Sequence, residues 1–223
     1  RSARGRFLAA HAGALYAGLT QNFTRFVRLE QLVYDAADLC PGLTPSREQV
    51  ARESAAVQRD KDGYEIDQGT LISHLLGHEQ AGRHLCHAML LPKADVTHQL
   101  ARLAADGRLE IGPITLVRRG KAIHLTMNNP RYLNAEDQTT IDAMETAADV
   151  ATLDPSTEIA VLRGGAVEHP KYAGRHILGS GINLTHLYRG TIPYLWYMQR
   201  GLGFVHKFLR GVARPAMLPG GVL

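Results

Sequence analysis

At Asp106-Gly107 the hydrophobic pattern of the chain changes period, and this limits the fold more than any other feature. Before it, apolar residues recur at three- and four-residue steps; after it, alternating and β-branched runs appear. Such a chain is predicted to be α/β, with a helical part followed by a part built on a sheet. From Phe7 to about Leu39 the positions Leu8, Ala12, Leu15, Leu19, Phe23, Phe26, Leu29, Leu32 and Val33 predict one long buried helix face, stopped by Pro41-Gly42. Thr44-Pro45 is expected to open a second helix, which Asp60-Lys61-Asp62-Gly63 closes. A third runs from about Asp67 to Leu91 and ends at Pro92, and a shorter one covers Val96 to Ala105. Past Gly107, Ile114–Val117 and Ala122–Met127 flank an Arg118-Arg119-Gly120-Lys121 turn and predict a β-hairpin. A helix over 135–150 and a strand at Ile159–Leu162 complete a strand, strand, helix, strand unit.

At 223 residues the chain has room for two domains, with a natural boundary between Pro92 and Gly107. Hydrophobic residues make up 45% and charged residues 21%, which excludes a disordered or collagen-like chain. The formal net charge is +4, but the basic residues are scattered without aromatic interleaving. This argues against a nucleic-acid partner and for a weak positive field that suits a phosphate-bearing small molecule. Cys40 and Cys86 imply no disulfide framework. The longest apolar runs, such as Ala88–Leu91, fall far short of the roughly 20 residues of a membrane span, so no membrane partner and a cytoplasmic location are expected.

His74, His78, His84 and His87 suggest a metal site, but on a single helix the first two share one face and the last two another. The His-Glu-x-x-His pattern is also absent, because His78-Glu79 is followed by Gln80, Ala81 and Gly82. No metal is expected. Gly179-Ser180-Gly181 lacks the third glycine of a dinucleotide fingerprint, and Gly201-Leu202-Gly203 runs into apolar residues, so neither supports a flavin or nicotinamide cofactor.

The segment 114–184 carries a more specific signal. Leu125-Thr126-Met127-Asn128-Asn129-Pro130-Arg131-Tyr132-Leu133-Asn134-Ala135 resembles a strand and loop of the crotonase (enoyl-CoA hydratase/isomerase) superfamily. Ile159–Gly164 resembles its next strand, and Gly179-Ser180-Gly181-Ile182-Asn183-Leu184 is similar to its Ser-Ala-Gly-Ala-Asp-Leu signature. The resemblance implies a crotonase-like spiral ββα core, incomplete here, preceded by an all-α N-terminal domain. Domains are then expected at 1–106 and 107–215, with 216–223 as a tail outside the family pattern. It also implies that the Ile182 backbone N–H is half of an oxyanion hole for a thioester oxygen, with Gly181 letting the chain turn tightly before it. Arg131, Leu133 and Ala135 are implied as contacts to coenzyme A.

The departures narrow the resemblance. Glu136 stands where the family usually has an apolar residue, Asn183 replaces a frequent acid, 166–178 is an insertion, and a helical extension leads the chain. Together they look like the branch of the superfamily that oxygenates arylacetyl-CoA thioesters with O₂ and without metal or organic cofactor. Glu136 is expected on the first turn of a helix capped by Asn134, accepting hydrogen bonds from substrate ring hydroxyls. Arg200 and Tyr197, on an expected amphipathic helix with Tyr194 and Trp196, are candidate substrate contacts. A homo-oligomer, trimeric or hexameric, is implied by the family. Two other readings stay open: an ordinary hydratase or isomerase, in which Glu136 and the extension have no role, and a non-catalytic thioester-binding or scaffold protein. The family's second oxyanion donor falls beyond the matched region, and no helix follows Gly220-Gly221 to replace it. A truncated chain, inactive by itself and completed by a C-terminal fragment, is therefore expected.

Overall fold

A computed structural model describes residues 2–215, and the tail with Gly220-Gly221 lies outside the described residues. The helices are α1 (Ser2–Leu19), α2 (Leu29–Leu39), α3 (Arg47–Ser54), α4 (Glu65–Gly77), α5 (Glu79–Leu90), α6 (Val96–Asp106), α7 (Gln138–Leu153), α8 (Leu184–Tyr188), α9 (Trp196–Arg200) and α10 (His206–Arg210). The strands are β1 (Arg108–Ile111), β2 (Ile114–Arg119), β3 (Ala122–Met127) and β4 (Ile159–Gly164). The chain is thus mixed α/β and divides into two compact units: residues up to Leu90 with His186–Leu202, and Leu91–Thr185 with the chain from Gly203. The division falls earlier than the expected boundary at residue 106. α6 buries Val96 and Leu103 and packs on β1 and α7, so it belongs with the sheet.

In the helical unit Leu8, Tyr16, Leu29, Leu32, Val33, Leu71, Ile72, Leu75, Leu85 and Met89 form one buried cluster. The expected single helix over 7–39 is two helices. Gln21, Asn22 and Phe23 adopt left-handed φ of 51°, 53° and 64°, and Thr20 holds the reversal by donating Oγ1–H to Tyr16 O at 2.7 Å and accepting Phe23 N–H at 3.2 Å. Phe23 and Phe26 therefore pack on His84 and not along a helix face. The expected helix over 67–91 also breaks, at His78, which is extended. The return is so tight that a Cβ on Gly82 would stand 2.6 Å from Leu76 O. The start expected at Thr44-Pro45 moves to Ser46, which forms a capping box with Gln49. The Thr44 hydroxyl donates to Val33 O at 2.7 Å instead.

His84 is committed to this packing. Tyr16 O–H donates to its Nδ1 at 2.8 Å, its Nε2–H donates to Phe23 O at 3.0 Å, and its ring stacks on Phe26 at 4.8 Å. Burial holds His84 below the usual histidine range, with the Phe23 carbonyl working against it and His87 adding to it. A histidine depressed in the folded state binds fewer protons folded than unfolded. The thermal midpoint is therefore expected to fall as pH drops below about 6.5, and this step should shrink in His84→Leu, leaving the part due to His206, which burial also holds low. Thermal unfolding between pH 7.5 and 5.0 checks it, and a flat wild-type profile would contradict it.

In the sheet unit the strand order is β1-β2-β3-β4. β1, β2 and β3 pair antiparallel, and β4 pairs parallel to β3 with Ala122 opposite Ile159 and Met127 opposite Gly164. Alternation buries Ile114, Leu116, Ile123, Leu125 and Met127, and α7 packs on β1, β2 and β3. The hairpin stands where expected, and β1 is an additional strand. α7 starts three residues later than expected: Asp137, not Asn134, is the N-cap, its carboxylate accepting Thr140 N–H. Lys207 on α10 lies buried against α7, with Nζ 2.8 Å from Glu145 and 2.8 Å from Asp149. No described helix is long and apolar enough to cross a membrane.

Candidate functional site

The site is built where β3 runs out. After Met127 the chain enters a 3₁₀ turn at Pro130–Tyr132, then takes left-handed φ at Leu133 (55°) and Asn134 (56°). Such a conformation is strained for a non-glycine residue and needs outside support. The Asn134 side chain supplies it from complete burial. Its Oδ1 accepts Asn129 N–H at 2.7 Å, while its Nδ2 donates to Gly165 O at 2.9 Å and Ile177 O at 2.8 Å. One buried amide thus ties the turn to the end of β4 and to the chain that leads to Gly179. Asn129 adds a bond from Nδ2 to Ala135 O at 2.9 Å.

So held, Glu136 lies alongside Ile182 as a parallel bridge. Glu136 N–H donates to Gly181 O at 2.8 Å, and Asn183 N–H donates to Glu136 O at 2.7 Å. A parallel bridge uses the carbonyl before and the amide after the facing residue, so the Ile182 N–H stays outside it. Among the described residues the Ile182 amide has no acceptor. Gly181 takes φ 89°, which glycine adopts at little cost. A half-buried backbone donor with no protein acceptor, beside a carboxylate-bearing residue, can receive an oxygen on which negative charge develops.

Behind the bridge, Asn183 Nδ2 donates to Asp137 Oδ2 at 3.3 Å while Asp137 Oδ1 caps α7. An acid at 183 would face Asp137 without that donor. Asn183 therefore suits this neighbour. Crowding also shapes the site: a Cβ on Gly164 would stand 1.6 Å from Ile177 O, and one on Gly165 2.3 Å from Asn128 Oδ1.

The structure brings Glu136, Gly181 and Ile182 together, with Leu133 and Ala135 in the same turn. Ala135 is buried, Leu133 half-buried, and Arg131 exposed with its guanidinium 5.6 Å from the Tyr132 ring. Glu136 is not on the first helical turn, since Asp137 intervenes as the cap; it is extended and half-buried. Tyr197 and Arg200 lie on α9, in the helical unit, where Trp196 is buried and Tyr197 is exposed. α9 covers only Trp196–Arg200, so Tyr194 precedes it, and α8 stands between the Gly181 turn and α9. Asn129, Asn134, Asp137 and Gly164 were not expected to organise the site. Their signal is the pair of Asn residues five apart around Pro130 and the Gly164-Gly165 pair closing β4. Among the described residues no group of three or more His, Cys, Asp or Glu side chains is placed to hold a metal.

No protein-family model matches the chain. The chain is 42% identical over 214 residues to the (3,5-dihydroxyphenyl)acetyl-CoA 1,2-dioxygenase of Amycolatopsis orientalis. The alignment takes in 96% of this chain and 49% of that protein. The chain thus spans about half the length of that relative.

Proposed function

We propose that this chain, similar to one half of a dihydroxyphenylacetyl-CoA dioxygenase, holds the thioester-activating part of a crotonase-like enzyme with that activity. The reaction takes 3,5-dihydroxyphenylacetyl-CoA and O₂ to 3,5-dihydroxyphenylglyoxylate and coenzyme A, without metal or organic cofactor. The observation that carries this reading is the Ile182 amide, left out of the bridge it sits in and adjacent to Glu136. Loss of a proton from the substrate's α-carbon puts negative charge on the thioester oxygen, and the Ile182 N–H meets that charge. Such a donor contributes about 10²–10³ in rate. The electron-rich carbanion reduces O₂ and combines with it to an α-peroxide, which attacks the thioester carbonyl and expels the thiolate. The O–O bond then breaks as the second α-proton leaves, so both oxygen atoms stay in the ketoacid and the thiolate takes up a proton.

Glu136 is assigned to binding and orientation through its carboxylate, which accepts hydrogen bonds from the ring hydroxyls. Leu133, Ala135 and Arg131 border the path of the pantetheine arm. Glu136→Gln replaces a charged acceptor by a neutral one. It is expected to weaken binding of 3,5-dihydroxyphenylacetyl-CoA about tenfold or more and to leave phenylacetyl-CoA unchanged. Equal losses for both ligands, read by calorimetry, would remove Glu136 from hydroxyl recognition. In the protein that carries this chain, O₂ uptake and thiol release are expected to survive chelation and dialysis. Loss restored by iron or copper would contradict the cofactor-free reading.

A further inference from the structure

The pairing of Glu136 with Ile182 rests on two backbone hydrogen bonds, Glu136 N–H to Gly181 O at 2.8 Å and Asn183 N–H to Glu136 O at 2.7 Å. Two such bonds do not specify a register by themselves, because a slip by one residue makes an equal pair. In one direction the slip would use Ser180 O and Ile182 N–H, and the amide that now stands outside the bridge would be consumed by it. Backbone packing does not forbid that slip. Residues 179–181 are exposed, a Cβ added to Gly181 would meet nothing within 4 Å, and the Ser180 hydroxyl reaches Tyr132 O at 3.3 Å.

What distinguishes the registers lies on the next pair of residues. With Glu136 opposite Ile182, Asp137 stands opposite Asn183. Both are buried, and Asn183 Nδ2 donates to Asp137 Oδ2 at 3.3 Å. Asp137 cannot follow a slip. Its Oδ1 accepts Thr140 N–H at 3.1 Å as the cap of α7, its own N–H donates to Thr140 Oγ1 at 2.6 Å, and Asn129 Nδ2 lies 3.4 Å from its Oδ2. Moved by one residue either way, the other segment would set Ile182 or Leu184 opposite Asp137, and neither side chain has a donor. A buried carboxylate that loses a donor is costly, so the side-chain pair selects the register that the backbone leaves open.

We infer that Asp137 and Asn183 are a positioning pair that locks this register and so keeps the Ile182 amide out of the bridge. The use of that amide on a thioester rests on the reading proposed above, whereas the register itself does not. Neither side chain is assigned a bond to substrate. The pair acts through the backbone of Glu136 and Ile182, and its two ends are interchangeable in principle, since the lock needs one donor facing one acceptor.

The test is amide hydrogen exchange, read by NMR in the ligand-free protein. In wild type the Glu136 and Asn183 amides are expected to be protected and the Ile182 amide not. Asn183→Ala removes the donor and is expected to lower protection at 136 and 183 about tenfold or more, while Met144, Ala147 and Val150 within α7 keep theirs. Asn183→Asp sets two buried carboxylates against each other and is expected to lower it further. Adding Asp137→Asn to Asn183→Asp turns the hydrogen bond around and keeps a favoured cap on α7, so protection is expected to return. Unchanged protection in Asn183→Ala, a double variant no better protected than Asn183→Asp, or a wild-type Ile182 amide as protected as that of Glu136 would each overturn the lock. The infrared carbonyl band of bound 3,5-dihydroxyphenylacetyl-CoA separates this claim from the thioester reading. The expected exchange pattern in a wild-type protein that binds no thioester would uphold the lock and sink that reading. A bound thioester polarised alike in wild type and Asn183→Ala, with protection unchanged, would overturn the lock and leave that reading standing.

Discussion

Lys207→Ala is expected to lower stability by about 3–5 kcal/mol, a large part of the roughly 5–15 kcal/mol that holds a domain folded. The Lys207 ammonium is fully buried and stands 2.8 Å from both Glu145 and Asp149. Asp149 also accepts Lys93 N–H at 2.8 Å. Removing the ammonium leaves two carboxylates facing one another out of water without the cation that joins them. Burial already pushes the Asp149 carboxyl above the usual carboxylate range, with Lys207 and the Lys93 amide pulling it down and Glu145 adding to the rise. A carboxyl raised in the folded state binds its proton more tightly folded than unfolded. The deficit of the variant is therefore expected to shrink as pH falls toward the carboxylate range. Urea unfolding of wild type and Lys207→Ala at pH 7.5 and pH 5 measures both effects. A loss under about 1 kcal/mol at neutral pH, or one that grows on acidification, would show that the triad does not hold α10 to α7.

Gly164→Ala is expected to disable the site even in protein that still folds. The added methyl would meet Ile177 O at 1.6 Å and the Ile177 carbonyl carbon at 2.2 Å, both backbone atoms. The strand end and the 177–178 segment must separate, which breaks the Asn134 Nδ2 bond to Ile177 O and costs about 1–3 kcal/mol. The turn that presents Ile182 follows directly from that segment. Thioester activation is then expected to fall by about 10²–10³, the value of one oxyanion donor. Gly179→Ala is the control within the same turn. A Cβ there meets Asn134 O at 3.5 Å, an ordinary contact, so its effect is expected to be small. Equal losses in the two variants would mean that the close approach at Gly164 does not position the turn.

Local rules recovered the elements whose signals are local. The β2–β3 hairpin and the end of α6 at Gly107, with φ 64°, follow from alternation and from a glycine cap. Periodicity misled where tertiary contacts override it. Phe23 and Phe26 continue the apolar spacing of α1, but they are drawn to the His84 ring by a left-handed reversal that no spacing reveals. The break at His78 depends on Gly82 meeting the Leu76 carbonyl, a contact between two helices of the final fold. β1 is short, and its partner register makes it a strand.

At the site, the resemblance to the crotonase superfamily pointed to Gly181, Ile182 and Glu136, and the structure sets these residues side by side. Asn134 reads in sequence as a helix cap because Asn is a favoured cap. Its side chain instead bonds Asn129, Gly165 and Ile177, one of them 43 residues away, and Asp137 takes the cap. Long-range bonds of this kind leave no periodic trace.

The central claim is that the Ile182 amide receives the thioester oxygen, and the vibration of that carbonyl reports it directly. With 3,5-dihydroxyphenylacetyl-CoA labelled with ¹³C at the thioester carbon and held under nitrogen, isotope-edited infrared spectroscopy isolates the band of the bound ligand. A preorganised donor polarises the carbonyl more than water does. The band of the bound thioester is expected below its position in water, and in Ile182→Pro, which lacks the N–H, it should return toward that position. A bound thioester whose band stays at its aqueous position in the wild-type protein would contradict the claim.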